Sequence, residues 1–167
     1  MKKIGRISVR RATAEDSGLV LDFIQQLARY EKLEHECVAT DDQIRASLFG
    51  PGAKAEALLA FEDDVPAGFA VYFYSYSTWL AKPGLYLEDL FVKPELRGRG
   101  LGKAIFLELL KIADRDGCGR FEWSVLDWNQ PAINFYESLG AKAQGEWIRY
   151  RLDEGQISQL AQGGGVG

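Results

Sequence analysis

Arg97-Gly98-Arg99-Gly100-Leu101-Gly102-Lys103 stands between a strand-like run and a long amphipathic helix. Three glycines in five positions clear side chains from the chain just where the helix begins, so backbone N–H groups can converge on an anion. The helix start adds its unpaired amides and the positive end of its dipole. Arg97, Arg99 and Lys103 add formal charge. The stretch predicts a seat for a phosphate or diphosphate. It is not a P-loop, because Ala104 stands where a Ser or Thr would hold magnesium. Nor is it G-x-G-x-x-G: counted from Gly98 the last position is Lys103, and from Gly100 it is Ile105.

Working outward, Leu101 to about Asp114 is strongly periodic, with Leu101, Ile105, Leu109 and Ile112 on one face. Before the turn, Leu85–Val92 reads as a central strand. Ala57–Phe61 and Pro66–Tyr76, separated by Asp63-Asp64, read as an antiparallel hairpin. Further upstream, Ile7–Arg10 alternates as a strand. Helices start at the capping patterns Thr13-Ala14-Glu15-Asp16 and Thr40-Asp41-Asp42-Gln43. The first runs to about Tyr30–Leu33 with Val20, Phe23, Ile24, Leu27 and Ala28 on one face; the second carries Ile44 and Leu48. Downstream come a strand over Arg120–Leu126, a helix from Asn129 to Leu139 stopped by Gly140, a strand over Trp147–Leu152 and a helical turn at Ile157–Ala161. The order β-α-α-β-β-β-α-β-α-β is that of an α/β (α+β) domain with a mixed sheet and helices on its faces.

At 167 residues the chain fits one domain, expected over 1–161, with 162–167 as a flexible glycine-rich tail. A net charge of -4 and the lack of a long Lys/Arg cluster argue against a nucleic-acid partner. Two cysteines, Cys37 and Cys118, form no disulfide framework, and the single histidine, His35, leaves no metal-ligand spacing. No metal is expected. No apolar run reaches 18 residues and the first residues lack a leader-like apolar stretch, so the expected location is the cytoplasm, away from membranes.

The turn also fits R-x-x-G-x-G, the coenzyme A turn of the GNAT acetyltransferases. A second stretch, Val125-Leu126-Asp127-Trp128-Asn129-Gln130-Pro131-Ala132-Ile133-Asn134-Phe135-Tyr136-Glu137-Ser138-Leu139-Gly140-Ala141, resembles the later motif of that family. Within it, Arg29–Glu34, Tyr86–Val92, Arg97–Gly102 and Val125–Gln130 make the chain similar to the diamine acetyltransferases (spermidine/spermine acetyltransferase and its thialysine-acetylating relatives), over about residues 7–153. The last of these stretches is closer to the thialysine branch.

The resemblance implies a GNAT-like, mostly antiparallel sheet and acetyl-CoA as co-substrate. It implies coenzyme contacts at Leu90, Phe91, Val92, Arg97, Gly98, Arg99, Gly100, Leu101, Gly102, Lys103, Asn129 and Ala132. Tyr136 matches the general acid and Glu88 the carboxylate that takes the amine proton through water. Tyr30, Glu31, Glu88, Asp89, Trp79, Glu146 and Trp147 match the acceptor pocket, and the family is usually a homodimer. One departure matters: the spermidine branch has Asp-Pro-Trp where this chain has Ser77-Thr78-Trp79, so an acid for a distant ammonium is missing.

The chemistry asks for such groups. An alkyl amine is almost wholly protonated at pH 7, and freeing it costs about 3.4 pK units, roughly 4.6 kcal/mol. A carboxylate routes that proton away. Glu88 and Asp89 face opposite sides of a strand, so either can serve. The departing thiolate needs a proton, which Tyr136 can give, and strand amides near Leu90–Val92 can hold the oxyanion. Two rival readings are a peptide or protein acetyltransferase, acting on lysines or N-termini, and a non-catalytic acyl-CoA sensor.

Overall fold

The computed structural model describes residues 5–163, and the chain divides into two units, one ending at Ser124 and the other beginning at Val125. The first holds a five-stranded sheet in the order β1-β2-β3-β4-β5: β1 (Ile7–Arg11), β2 (Glu56–Glu62), β3 (Val65–Ser77), β4 (Lys82–Val92) and β5 (Arg120–Trp123). The first three pairings are antiparallel and β4–β5 is parallel. The mixed α/β class is as the order of elements predicts, and the mostly antiparallel sheet is as the resemblance implies. Asp63 and Asp64 both take positive φ, 50° and 65°, which matches the twist of the β2–β3 hairpin.

Helices cover both faces. The expected capping patterns sit at both early helix starts. Thr13 and Asp16 cap a 3-10 turn, Ala14–Asp16, that leads into α1 (Ser17–Tyr30). Thr40 and Gln43 close a reciprocal box on α2 (Asp41–Phe49). Val20, Phe23 and Leu27 of α1 and Ile44 of α2 pack on Ala57, Leu59, Phe69, Val71 and Phe91. Phe23 stacks on Phe69 at 5.4 Å and meets Phe91 at 6.3 Å. Alternation along the strands puts Leu58, Ala60, Ala70, Tyr72, Leu85 and Leu87 on the opposite face. There α3 (Leu101–Arg115) buries Leu101, Ile105, Leu109 and Ile112, the stripe read from its periodicity. Its far end is tied to β3 by the Tyr74 hydroxyl, which donates to Asp116 at 2.6 Å.

The second unit contains α4 (Gln130–Ser138) and α5 (Glu154–Ala161). The strand expected over Trp147–Leu152 does not form. The described elements of this unit are helices, so the alternating residues find no second strand to bond within it, and Trp147, Ile148 and Tyr150 stand 73%, 77% and 89% exposed. The expected turn at Ile157–Ala161 is instead a full helix, begun by an Asp153–Gln156 capping box. Of the expected glycine-rich tail, Gln162 and Gly163 close α5 by hydrogen bonds to Ser158 and Leu160, and 164–167 lie outside the described residues. Strand β5 is shorter than expected, ending at Trp123 rather than Leu126.

Candidate active site

The centre of interest is where the β4–β5 ladder stops. The last parallel pair is Leu87↔Trp123, while β4 runs on to Val92. On its other side β4 stays paired with β3, but the register steps: Leu87 faces Tyr72 and Asp89 faces Val71. Glu88 is the extra residue of a β-bulge, and its side chain is exposed. A bulge of this kind re-aims side chains and ends pairing. Beyond it, Lys93 N–H bonds the Ala67 carbonyl at 2.9 Å. Antiparallel alternation counted from that bond spends the backbone of Phe91 and Asp89 on β3 and turns the N–H and C=O of Leu90 and Val92 to the open edge. Phe91 contributes its ring to the core instead.

Across the bulge three acids gather. Asp89 lies on the α1 face of the sheet, half-buried, with Glu88 beside it and Glu31, the residue capping α1, near enough to repel it. Burial first, then the charges of Glu88 and Glu31, push the Asp89 carboxyl up to about 7. Burial also raises Glu31. A carboxyl near neutrality can exchange a proton at physiological pH, and this one lies beside an open backbone edge.

The glycine turn follows β4 through a 3-10 turn at Pro94–Leu96. Gly98 and Gly100 adopt φ of 77° and 92°, a backbone that L side chains rarely take, and a Cβ at Gly98 would project into open space. The first intrahelical bond of α3 is Ala104 N–H to the Gly100 carbonyl at 2.9 Å, and no side chain caps the helix at Gly100. The amides of Leu101, Gly102 and Lys103 are thereby the first-turn donors. That arrangement fits a diphosphate. The two arginines, however, are otherwise engaged. Arg99 pairs with Glu62 at 3.0 Å, and Arg97 donates Nε–H to the Val92 carbonyl at 2.9 Å with its guanidinium 4.4 Å over the Tyr30 ring. Lys103 is exposed.

In the second unit Asn129 caps α4, its side-chain oxygen accepting from Ala132 N–H at 3.4 Å, with Pro131 in the first turn. Tyr136 lies on that helix with its ring 5.6 Å from Phe135. Glu146 and Trp147 are exposed in the turn that follows.

Residues 21–141 match the model of the Acetyltransferase (GNAT) family. The chain belongs to the GNAT acetyltransferases. Over 166 residues this acetyltransferase is 34% identical to the thialysine N-epsilon-acetyltransferase of Mus musculus, covering 92% of this chain and 96% of the relative. It is 31% identical to the L-ornithine N5-acetyltransferase of Arabidopsis thaliana, covering 86% and 83% of the two chains. Among solved structures, an integron cassette protein from the mobile metagenome of V. cholerae superposes with a TM-score of 0.78 at 26% identity, over 93% of this chain and 98% of that one. GNAT acetyltransferases use acetyl-CoA as co-substrate.

Within the first unit, the acetyltransferase brings Tyr30, Glu31, Glu88, Asp89, Leu90, Val92 and the 97–103 turn to one end of β4. Trp79 is not among them: it is 93% exposed at the tip of the β3–β4 hairpin. Ser77 is buried beneath that tip and accepts the Leu80 N–H at 3.3 Å. Lys82 pairs with Ser77, so six residues of strand, about 20 Å, separate this point from Glu88. Two features of this end of the sheet escape the sequence. Glu62, 7% exposed, has no motif to mark it. The bulge does leave a trace: Leu85 and Leu87 are followed by Leu90 and Val92, a jump in parity across Glu88-Asp89. Among the described residues, no helix is long and apolar enough to cross a membrane, and no group of three His, Cys, Asp or Glu side chains is placed to hold a metal.

Proposed function

We propose that this acetyltransferase transfers acetyl from acetyl-CoA to the primary amine of a small cationic acceptor of the thialysine, diamine or polyamine type. The observation that carries the reading is the gathering of Glu31, Glu88 and Asp89 beside the open edge of β4 and the glycine turn. Three carboxyl groups attract a cation, and one of them, near 7, can accept its proton. The names of the relatives, acting on thialysine and on ornithine, point the same way.

Bound acetyl-CoA supplies an activated acetyl thioester. The first-turn amides of α3, freed by Gly98 and Gly100, hold the diphosphate. The outward-facing Leu90 carbonyl and Val92 N–H hold the pantetheine arm in strand fashion, the Val92 carbonyl being taken by Arg97, and the Leu90 N–H donates to the acetyl oxygen as it gains charge. Glu31 and Tyr30 receive the acceptor cation. The amine proton passes through water to the Glu88–Asp89 pair, where Asp89, with its carboxyl raised to about 7, can hold it. Tyr136 gives a proton to the leaving thiolate. Asn129 sets the start of α4 and so the placement of Ala132 and Tyr136 along it. Direct attack, with both substrates bound, requires no acetylated cysteine; Cys118 has its thiol raised by burial and then by Asp116, which disfavours a nucleophilic thiolate. We also propose a cytoplasmic homodimer as the working form, as the resemblance implies.

The test is release of free thiol from acetyl-CoA with a panel of thialysine, lysine, short diamines, spermine and an N-terminal peptide. Thialysine or a short diamine should give kcat/KM about tenfold or more above spermine, since Ser77 stands where an acid would receive a second, distant ammonium and the charge-assisted contact forgone is worth about 1.5–3 kcal/mol. The peptide winning would replace the small-amine reading, and no turnover with any amine would favour a coenzyme sensor.

A further inference from the structure

Arg97 opens the glycine turn, yet its guanidinium is engaged by β4 and α1. Its Nε–H is held by the Val92 carbonyl at 2.9 Å, and the planar group lies 4.4 Å over Tyr30 and 5.5 Å from the Phe91 ring centre. Tyr30 is the last residue of α1. Directly after it the chain makes a tight helix stop: Leu33 N–H reaches the Ala28 carbonyl at 2.9 Å and Lys32 N–H reaches Arg29 at 3.1 Å. This is the double bond of a Schellman stop, whose left-handed position favours glycine. Here Lys32 occupies it with φ of 61°, so the stop carries backbone strain. Glu31 and the 3-10 turn Glu34–Glu36 hang on that strained link. Arg97 stacks on Tyr30, two residues before Lys32.

We propose that Arg97 is a positioning residue that couples the coenzyme turn to the acidic arm following α1, through its stack on Tyr30. The inference rests on the acetyl-CoA reading above. When a diphosphate fixes the backbone of Gly98–Gly102, the neighbouring Arg97 backbone is fixed too, and its side chain keeps one arrangement between the Val92 carbonyl and Tyr30. The arm is the part that responds, because it leaves α1 through a non-glycine residue in the left-handed conformation, a link that carries strain. Coupling of this kind is reciprocal: whatever coenzyme does for the arm, an ordered arm does for coenzyme. The coenzyme therefore prepares Glu31 for the amine.

Hydrogen exchange on the full chain, with coenzyme A itself as the probe and no amine present, tests this. In the unmodified protein, saturating coenzyme A should slow exchange of the Lys32, Leu33 and Cys37 amides about fivefold or more. Tyr30→Phe keeps the ring and should keep that difference. Tyr30→Leu and Arg97→Lys, each removing one half of the planar stack, should abolish it, while calorimetry shows coenzyme A binding weakened by a similar factor and not lost. A merely structural role would raise exchange equally with and without coenzyme and leave the difference intact, which overturns the proposal. Coenzyme A binding without protection of the arm in the unmodified protein also overturns it and leaves the acetyl-CoA reading standing. Failure of coenzyme A to bind at all overturns both.

Discussion

Arg99 reaches back from the glycine turn to Glu62 on β2 and meets it at 3.0 Å, with Gly5 N–H on the same carboxylate at 2.9 Å. The Gly5 bond, and then Arg99 against the opposing cost of burial, hold this carboxyl below its usual range. The charge is thus used to fasten the turn to the sheet. Arg99→Ala leaves the buried Glu62 with the Gly5 N–H but no countercharge, so the melting temperature should fall, and fall further than in the Arg99→Ala/Glu62→Ala double variant. Thermal unfolding of the three variants checks it. Equal losses in single and double variants would mean that the pair contributes nothing beyond packing.

Gly100 carries φ of 92°, and a Cβ there would lie 3.8 Å from Ile7, an ordinary contact. Any side chain is therefore disfavoured by backbone conformation rather than by crowding, at about 1–2 kcal/mol. Gly100→Asp adds a negative charge to that strain at the anion seat. Calorimetry should show coenzyme A affinity reduced well over tenfold in a folded protein.

Asp89 has its proton affinity raised to about 7, against an ordinary carboxyl near 4 in the unfolded chain. The folded state therefore holds a proton that the unfolded state has lost between these values, and stability falls as pH rises through that window. Asp89→Asn, which cannot ionise, should melt like the unmodified protein below about pH 4 and above it at pH 8. Melting curves from pH 4 to 8 read this directly.

The same carboxyl should govern turnover. As base it must be ionised, so kcat/KM should rise with pH through about 7. Glu88 is the larger of the two charges that lift Asp89, so Glu88→Gln should shift this limb to lower pH, and Asp89→Asn should erase it. A limb unmoved in both variants would place the essential base elsewhere.

Tyr136→Phe deletes one hydroxyl and keeps the ring beside Phe135. If that hydroxyl protonates the leaving thiolate, turnover drops about 10²-fold with coenzyme affinity nearly constant. Single-turnover rates and calorimetry on the same variant separate the two. Near-full single-turnover rates would leave Tyr136 a packing residue.

Much of this was legible because it depends on local signals. The Thr40–Gln43 box, the apolar stripe of α3 and the glycine turn each announce themselves within a few residues. What stayed hidden depends on partners distant in sequence. Nothing near Glu62 tells that Arg99 will come to it from 37 positions away, or that Arg97 will lie on Tyr30. The Trp147–Leu152 pattern shows the converse: alternation gives a segment the capacity for a strand, but a ladder needs a neighbour, and its unit offers helices. Asp89 and Glu88 are adjacent and chemically alike, and burial next to Glu31 is what separates them.

The bulge at Glu88 has an odd implication for how this sheet would respond to loss. Leu87 already faces Tyr72 and Asp89 already faces Val71, so Glu88 is the one residue of this stretch of β4 that the ladder does not require. A chain lacking it could close the gap, keep Phe91 in the core and gain a regular strand. Deletion of Glu88 should therefore raise or spare the melting temperature, and if turnover is lost while the fold is kept, the irregularity serves the proposed reaction rather than the sheet.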